Sequence, residues 1–163
     1  MSEQTAKLTK ETFNAENFGF VDLGLPSGRR WAAENAPGHY TFDEAVEVFG
    51  DCLPKAAAMA ELIEECQVKW NEEKKGLDIT GPNGNSIFLP AAGFVSRFSG
   101  SLESADEIGA YWTRKAFVTP SESYASYSQA HAYLLRFNSG GVDPLHSIYR
   151  SYGFSVRPAR EFD

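Results

Sequence analysis

The change of hydrophobic period along the chain constrains the fold most. Over residues 41–66 apolar side chains recur at helical spacing, and beyond Trp70 they recur at every second position. Phe42, Ala45, Val46 and Phe49 stand at i, i+3, i+4 and i+7, which places one apolar stripe on a helix over 41–49. Thr41 and Glu44 form a capping box, in which each side chain satisfies a free backbone N–H of the other, and Gly50 ends the helix. After Pro54 the stripe repeats in Met59, Leu62, Ile63 and Cys66, while Glu61, Glu64 and Glu65 make a solvated face rather than a metal site. Two early helices, several short strands after them and long loops between indicate an α+β domain with an antiparallel sheet, not βαβ winding.

An early strand is expected around 19–23, with a turn at Leu25-Pro26-Ser27-Gly28. Leu77 and Ile79, then Ile87 and Leu89, alternate with polar residues on either side of Gly-Pro-Asn-Gly-Asn at 81–85, a strong hairpin signal. A Ser/Gly-rich connection follows near 96–104. Further strands are expected at 109–113, 133–138 and 153–157, with an irregular segment over 114–129. Residues 1–16 read as a flexible lead-in, and 17–163 as one domain long enough to bury a core.

The chemistry-bearing residues are sparse. Cys52 and Cys66 form no CxxC, and His39, His131 and His146 are dispersed, so no metal-ligand spacing exists. Two reduced, partly buried thiols are expected, with a single disulfide as the alternative. Neither a GxSxG elbow nor a GxxxxGK or GxGxxG loop is present, and nothing fixes a catalytic base beside His131 or His146. Glu103, Asp106 and Glu107 are the tightest acidic loop cluster, without EF-hand spacing. No catalytic residue, metal or cofactor is therefore assigned. The net charge of −7 argues against a nucleic-acid partner, which needs a basic patch. No apolar run approaches the roughly 20 residues of a membrane helix, so no membrane insertion is expected. The polar start of the sequence offers no secretory signal.

The last third interleaves a frame with variety. Tyr133, Leu135, Phe137, Val142, Pro144, Phe154 and Val156 recur as frame residues. Leu134, Arg136 and Asn138 fall on the other face of the 133–138 strand and are expected to point outward. The set continues in Gly140, Gly141, Asp143, Leu145, His146, Ser147, Ile148, Tyr149, Ser151 and Tyr152. This mixture of Tyr, Ser, Gly, Asn, His and Arg is that of antibody-type paratopes, with an ordinary solvated loop as the alternative. Tyr149 and Tyr152 are the expected contact anchors. Arg114, Phe117, Tyr124, Tyr127 and His131 are candidates for extending the face upstream.

An ordered set of fragments carries a family resemblance: VDLGLPSG at 21–28, LPxAAxMAEL at 53–62, IFLPAAG at 87–93, YWT at 111–113, AYxLxFxS at 132–139, VxP at 142–144 and RxxGFSVRPxR at 150–160. Together they resemble the C-type-lectin-fold variable proteins of diversity-generating retroelements, of the Bacteroidales and phage type, related to the Fibrobacter succinogenes major paralogous domain. The resemblance implies a C-type lectin fold and a receptor-binding or adhesion role. It also implies an unknown protein or glycan ligand on a cell or virus surface, and a virion-associated or cell-surface location. In such systems adenines are substituted, so that Asn AAC codons become NNC codons, which cannot encode Lys, Glu, Gln, Met or Trp. None of those five residues occurs over 130–160. Lys115, Glu122 and Gln129 break the rule upstream and would be fixed. A non-diversified structural or adhesin-tip module is the alternative. A formylglycine-generating-type enzyme resembles this fold too, but its cysteines lie near the C-terminal end, whereas Cys52 and Cys66 lie in the first half.

Overall fold

The computed structural model describes residues 7–116 and 131–160. It is an α+β fold with two helices and several small antiparallel sheets. Helix α1 (Phe42–Phe49) starts at the capping box: the Glu44 N–H donates to Thr41 Oγ1, and the Thr41 N–H donates to the Glu44 carboxylate. Phe42, Ala45 and Phe49 are buried, whereas Val46 is exposed. Helix α2 (Ala56–Glu65) buries Ala58, Met59 and Leu62.

The strands are β1 (Phe20–Asp22), β2 (Arg30–Ala32), β3 (Gln67–Asn71), β4 (Gly76–Thr80), β5 (Ser86–Pro90), β6 (Phe94–Val95), β7 (Leu102–Glu103), β8 (Gly109–Ala116), β9 (His131–Asn138), β10 (Gly141–Tyr149) and β11 (Ala159–Arg160). They pair antiparallel as β1-β2-β11, β3-β4-β5, β6-β7 and β8-β9-β10. The 81–85 loop joins β4 to β5 as its composition predicts. The Gly81 N–H donates to Asn85 O at 2.8 Å, and Gly84 takes a φ of 91°, which few other residues adopt. At the other end of the chain, 153–157 differs from the regular strand expected there. Phe154, Gly153 and Ser155 instead form isolated bridges to Tyr40, Val95 and Tyr111, which tie three separate elements together.

The sheet β8-β9-β10 divides two hydrophobic cores. On one side Tyr111, Leu135 and Phe137 pack with Met59, Leu62, Leu77, Ile79 and Leu89. On the other, Ala110, Trp112, Ala132 and Leu134 pack with Phe42, Ala45, Phe49, Phe154 and Val156. Polar pins hold the layers together. Trp112 Nε1 donates to Tyr40 O at 2.6 Å, and the Tyr111 hydroxyl donates to Pro90 O at 2.7 Å. The buried Arg157 guanidinium donates to Asn35 Oδ1, Ala32 O and Phe88 O, and burial lowers its pKa to about 10. It therefore stays charged at neutral pH, with carbonyl oxygens in place of water.

Within the expected lead-in, residues 7–16 are described and are anchored at two points: the Leu8 N–H donates to the Tyr40 hydroxyl at 2.8 Å, and the Phe13 ring meets Phe49 edge-on at 4.9 Å. Leu8, Phe13 and Phe18 extend the second core, and that apolar content is what holds the segment down.

Candidate functional site: an apolar pocket at one end of the central sheet

Register fixes which candidate side chains share a face. Arg136 stands between Ala110 and Asp143, Leu134 between Trp112 and His146, and Ala132 between Ala116 and Ile148. Two residues of β10, Pro144 and Leu145, bulge opposite Leu135. Without that bulge the alternation would turn His146 to the other face. The rows Arg136/Asp143, Leu134/His146 and Ala132/Ile148 thus lie on the side of the second core.

Where that core thins out, a pocket of about 240 Å³ opens. Its lining is Phe94, Ile108, Ala110, Leu134, Arg136, His146, Ile148, Tyr152 and Phe154. Tyr152 forms one wall: its ring stacks on Phe154 at 5.9 Å with an interplanar angle of 3°, and meets Phe94 edge-on at 5.8 Å. The polar groups sit with His146 and Arg136. His146 Nδ1 lies 3.2 Å from Asp143 Oδ2, and Asp143 Oδ1 accepts from the Leu145 N–H, which fixes the bulge. Arg136 is exposed, and its guanidinium has no ion-pair partner among the described residues. An apolar pocket lined by the exposed cation Arg136 and a His–Asp pair suits a ligand that inserts an apolar group and presents an acceptor or an anion.

The aromatic surface continues beyond the pocket. Phe98 is 80% exposed and touches Tyr152 edge-on at 6.4 Å. The Arg97 guanidinium lies 3.9 Å over the ring of Tyr149, itself 40% exposed. Leu102 and Leu145 are exposed as well. Arg97, Phe98 and Leu102 were not among the sequence candidates. The signal available was a Phe and a Leu isolated in a Ser/Gly-rich loop, where nothing local gives an apolar side chain a reason to be.

Several placements correct the sequence reading. Leu134, expected to point outward, is 1% exposed and floors the pocket, because both faces of β9 carry core. Ile148 and Tyr152 are half-buried against the second core, so Tyr152 is a pocket wall rather than a free contact anchor. His131 is buried beneath the Tyr149 ring, 4.3 Å away, and cannot face a ligand. Ser147 stands opposite Tyr133, in register with the far side of the sheet from Leu134. Asp143, Leu145, Tyr149 and Ser151 are exposed, as is Gly141 beside the β9–β10 turn. Asn138 and Gly140 line a separate open cleft with Trp70, Lys75, Asp106 and Glu107. Arg114 is exposed at the far end of β8, 3.4 Å from Asp51. Phe117, Tyr124 and Tyr127 lie outside the described residues.

Among the described residues no group of three or more His, Cys, Asp or Glu is arranged to hold a metal, and Glu103, Asp106 and Glu107 form no such group. Cys52 and Cys66 are free thiols. Burial pushes Cys66 up to about 11, with Glu61 and Glu65 adding to it, and burial raises Cys52 as well. No helix among the described residues is long and apolar enough to cross a membrane. Compared with protein-family models, with curated proteins and with solved structures, the chain matches none.

Proposed function

We propose that the chain is a non-enzymatic ligand-binding protein of the C-type lectin fold, with a face diversified by retroelement mutagenesis. One observation carries the reading. Six of the nine residues lining the apolar pocket fall in the segment that lacks Lys, Glu, Gln, Met and Trp: the frame residue Phe154 and the five candidates Leu134, Arg136, His146, Ile148 and Tyr152. The neighbouring exposed positions Asp143, Leu145, Tyr149 and Ser151 fall in it too. The two helices and short antiparallel sheets are compatible with the fold that the resemblance implies. The ligand is a protein or glycan on a cell or virus surface, and the protein acts there as a receptor-binding or adhesion module. The raised thiols speak against an enzyme of the formylglycine-generating type, whose chemistry needs reactive cysteines.

Roles are separated in this reading. Trp112, Phe137, Phe154 and Val156 hold the frame from within the two cores, and the exposed set changes around them. A displayed library randomised with NNC codons at Arg136, Asp143, Leu145, His146, Tyr149 and Ser151 tests it. Most members remain protease-resistant, and selection on an unrelated immobilised protein yields binders. Loss of protease resistance in most members contradicts it.

A further inference from the structure

A second cleft, open and about 540 Å³ in volume, has the opposite chemistry. Among the described residues, Arg29, Lys55, Arg114 and Arg160 line it, with Asp51 as the single carboxylate. This reverses the balance of the whole chain, in which 22 Asp and Glu outnumber 15 Lys and Arg. The four cations are not a charge run. They come from the turn before β2, the residue preceding α2, β8 and β11, so the fold itself gathers them.

Three of them are oriented by carboxylates. Arg29 is paired with Glu61 at 3.6 Å and Arg160 with Glu16 at 3.1 Å, and neither acid lines the cleft. Arg114 is paired with Asp51 at 3.4 Å, but the Asp51 side chain is fully exposed and free to swing away. Lys55 has no ion-pair partner among the described residues. The wall that carries it is tied to the sheet, because the Arg114 N–H donates to Pro54 O at 2.8 Å. Helix α2 starts at that wall with no side-chain cap and no acid in its first turn, unlike α1 with its capping box and with Asp43 and Glu44. Its first-turn amides and the positive end of its dipole add to the four cations.

We propose that this cleft binds a phosphate group, as the free anion or as a phosphomonoester. A tetrahedral dianion presents several acceptor oxygens at once, which suits guanidinium forks, an ammonium and backbone amides converging from different elements. One such group asks for a local cation cluster, not for the basic surface that a nucleic acid requires. The cleft is separate from the apolar pocket: Arg114 lies four residues along β8 from Ala110, roughly 13 Å at strand rise. The assignment does not rest on the diversified face.

The test is a titration of the full chain with sodium phosphate and, separately, with phosphoserine, at ionic strength held constant with sodium chloride. Amide chemical shifts of Lys55, Ala56 and Ala57 are the readout. Saturable shifts with at least one of the two are expected, and the tighter of the pair identifies the source. Lys55→Gln and Arg114→Gln, both at exposed positions, each weaken binding by about tenfold or more with the melting temperature unchanged. Asp51→Asn tightens it, because a competing carboxylate is removed. Shifts that fail to saturate with either probe, or wild-type affinity in both glutamine variants, overturn the proposal.

Discussion

Leu134 and Arg136 stand two residues apart on the same side of β9, yet truncating them has opposite consequences. Leu134→Ala removes about three methylene equivalents from a side chain that is 1% exposed, roughly 2.4 kcal/mol of transfer free energy. A residual cavity adds to that cost, by about 24 cal/mol per Å³ in well-packed cores. Here the floor opens onto a pocket of about 240 Å³, so the space left behind joins an existing opening and the cavity cost stays small. The expected total is about 3 kcal/mol, which for a chain of this size lowers the melting temperature by about 9 °C. Arg136→Ala removes an exposed side chain that has no ion pair among the described residues, and costs less than about 0.5 kcal/mol. Urea denaturation at 25 °C, followed by tryptophan fluorescence, measures both as a shift in midpoint at constant slope. A loss below about 1 kcal/mol for Leu134→Ala refutes the two-core reading of the sheet and restores Leu134 to the surface.

Tyr152→Ala loses ring contacts with Phe94, Phe98 and Phe154 and costs about 2 kcal/mol, whereas Tyr149→Ala changes stability by less than about 1 kcal/mol. Thermal melts of the two single variants separate the pocket wall from the exposed anchor. Gly109→Ala would bring a Cβ to 2.0 Å from the Phe137 ring, so it destabilises by about 2 kcal/mol or more, read as a lowered melting temperature. The Cys66 thiol, raised to about 11 chiefly by burial, contributes stability that is complete below the unfolded thiol value near 9. That contribution is lost as pH rises through 11, and Cys66→Ser removes this part of the alkaline loss. Alkylation of Cys66 in the folded chain, followed against pH by peptide mass, has its midpoint near 11.

The helices were legible because their signals are local. Thr41, Glu44 and Gly50 mark the bounds of α1 without help from the rest of the chain, and Asn83-Gly84 marks the β4–β5 hairpin. The departures all come from tertiary context. Cys66 continues the helical stripe in sequence, but the helix ends at Glu65 and the chain enters β3, where Val68 and Trp70 pack on the first core. In β10 Gly141 and Pro144 argue for a loop. The strand tolerates them because it lies at the sheet edge and because the bulge absorbs Pro144. Alternation in β9 correctly separates Leu135 and Phe137 from Leu134. It carries no information on whether the second face meets water or another core. The pocket was half legible for the same reason. Leu134, Arg136, His146, Ile148 and Tyr152 were singled out by their composition, whereas Phe94, Ile108 and Ala110 come from a distant part of the chain that only the fold brings across.

The central claim is that the C-terminal face varies while its frame persists, and the DNA flanking the gene tests it most directly. The account predicts a nearby repeat of the codons for residues 132–160 that differs from the gene only at adenines, beside a reverse-transcriptase gene. Those differences fall at Arg136, Asp143, Leu145, His146, Tyr149 and Ser151 and spare Phe137, Phe154 and Val156. A reverse-transcriptase gene without such a repeat, or substitutions scattered over frame and surface alike, contradicts it.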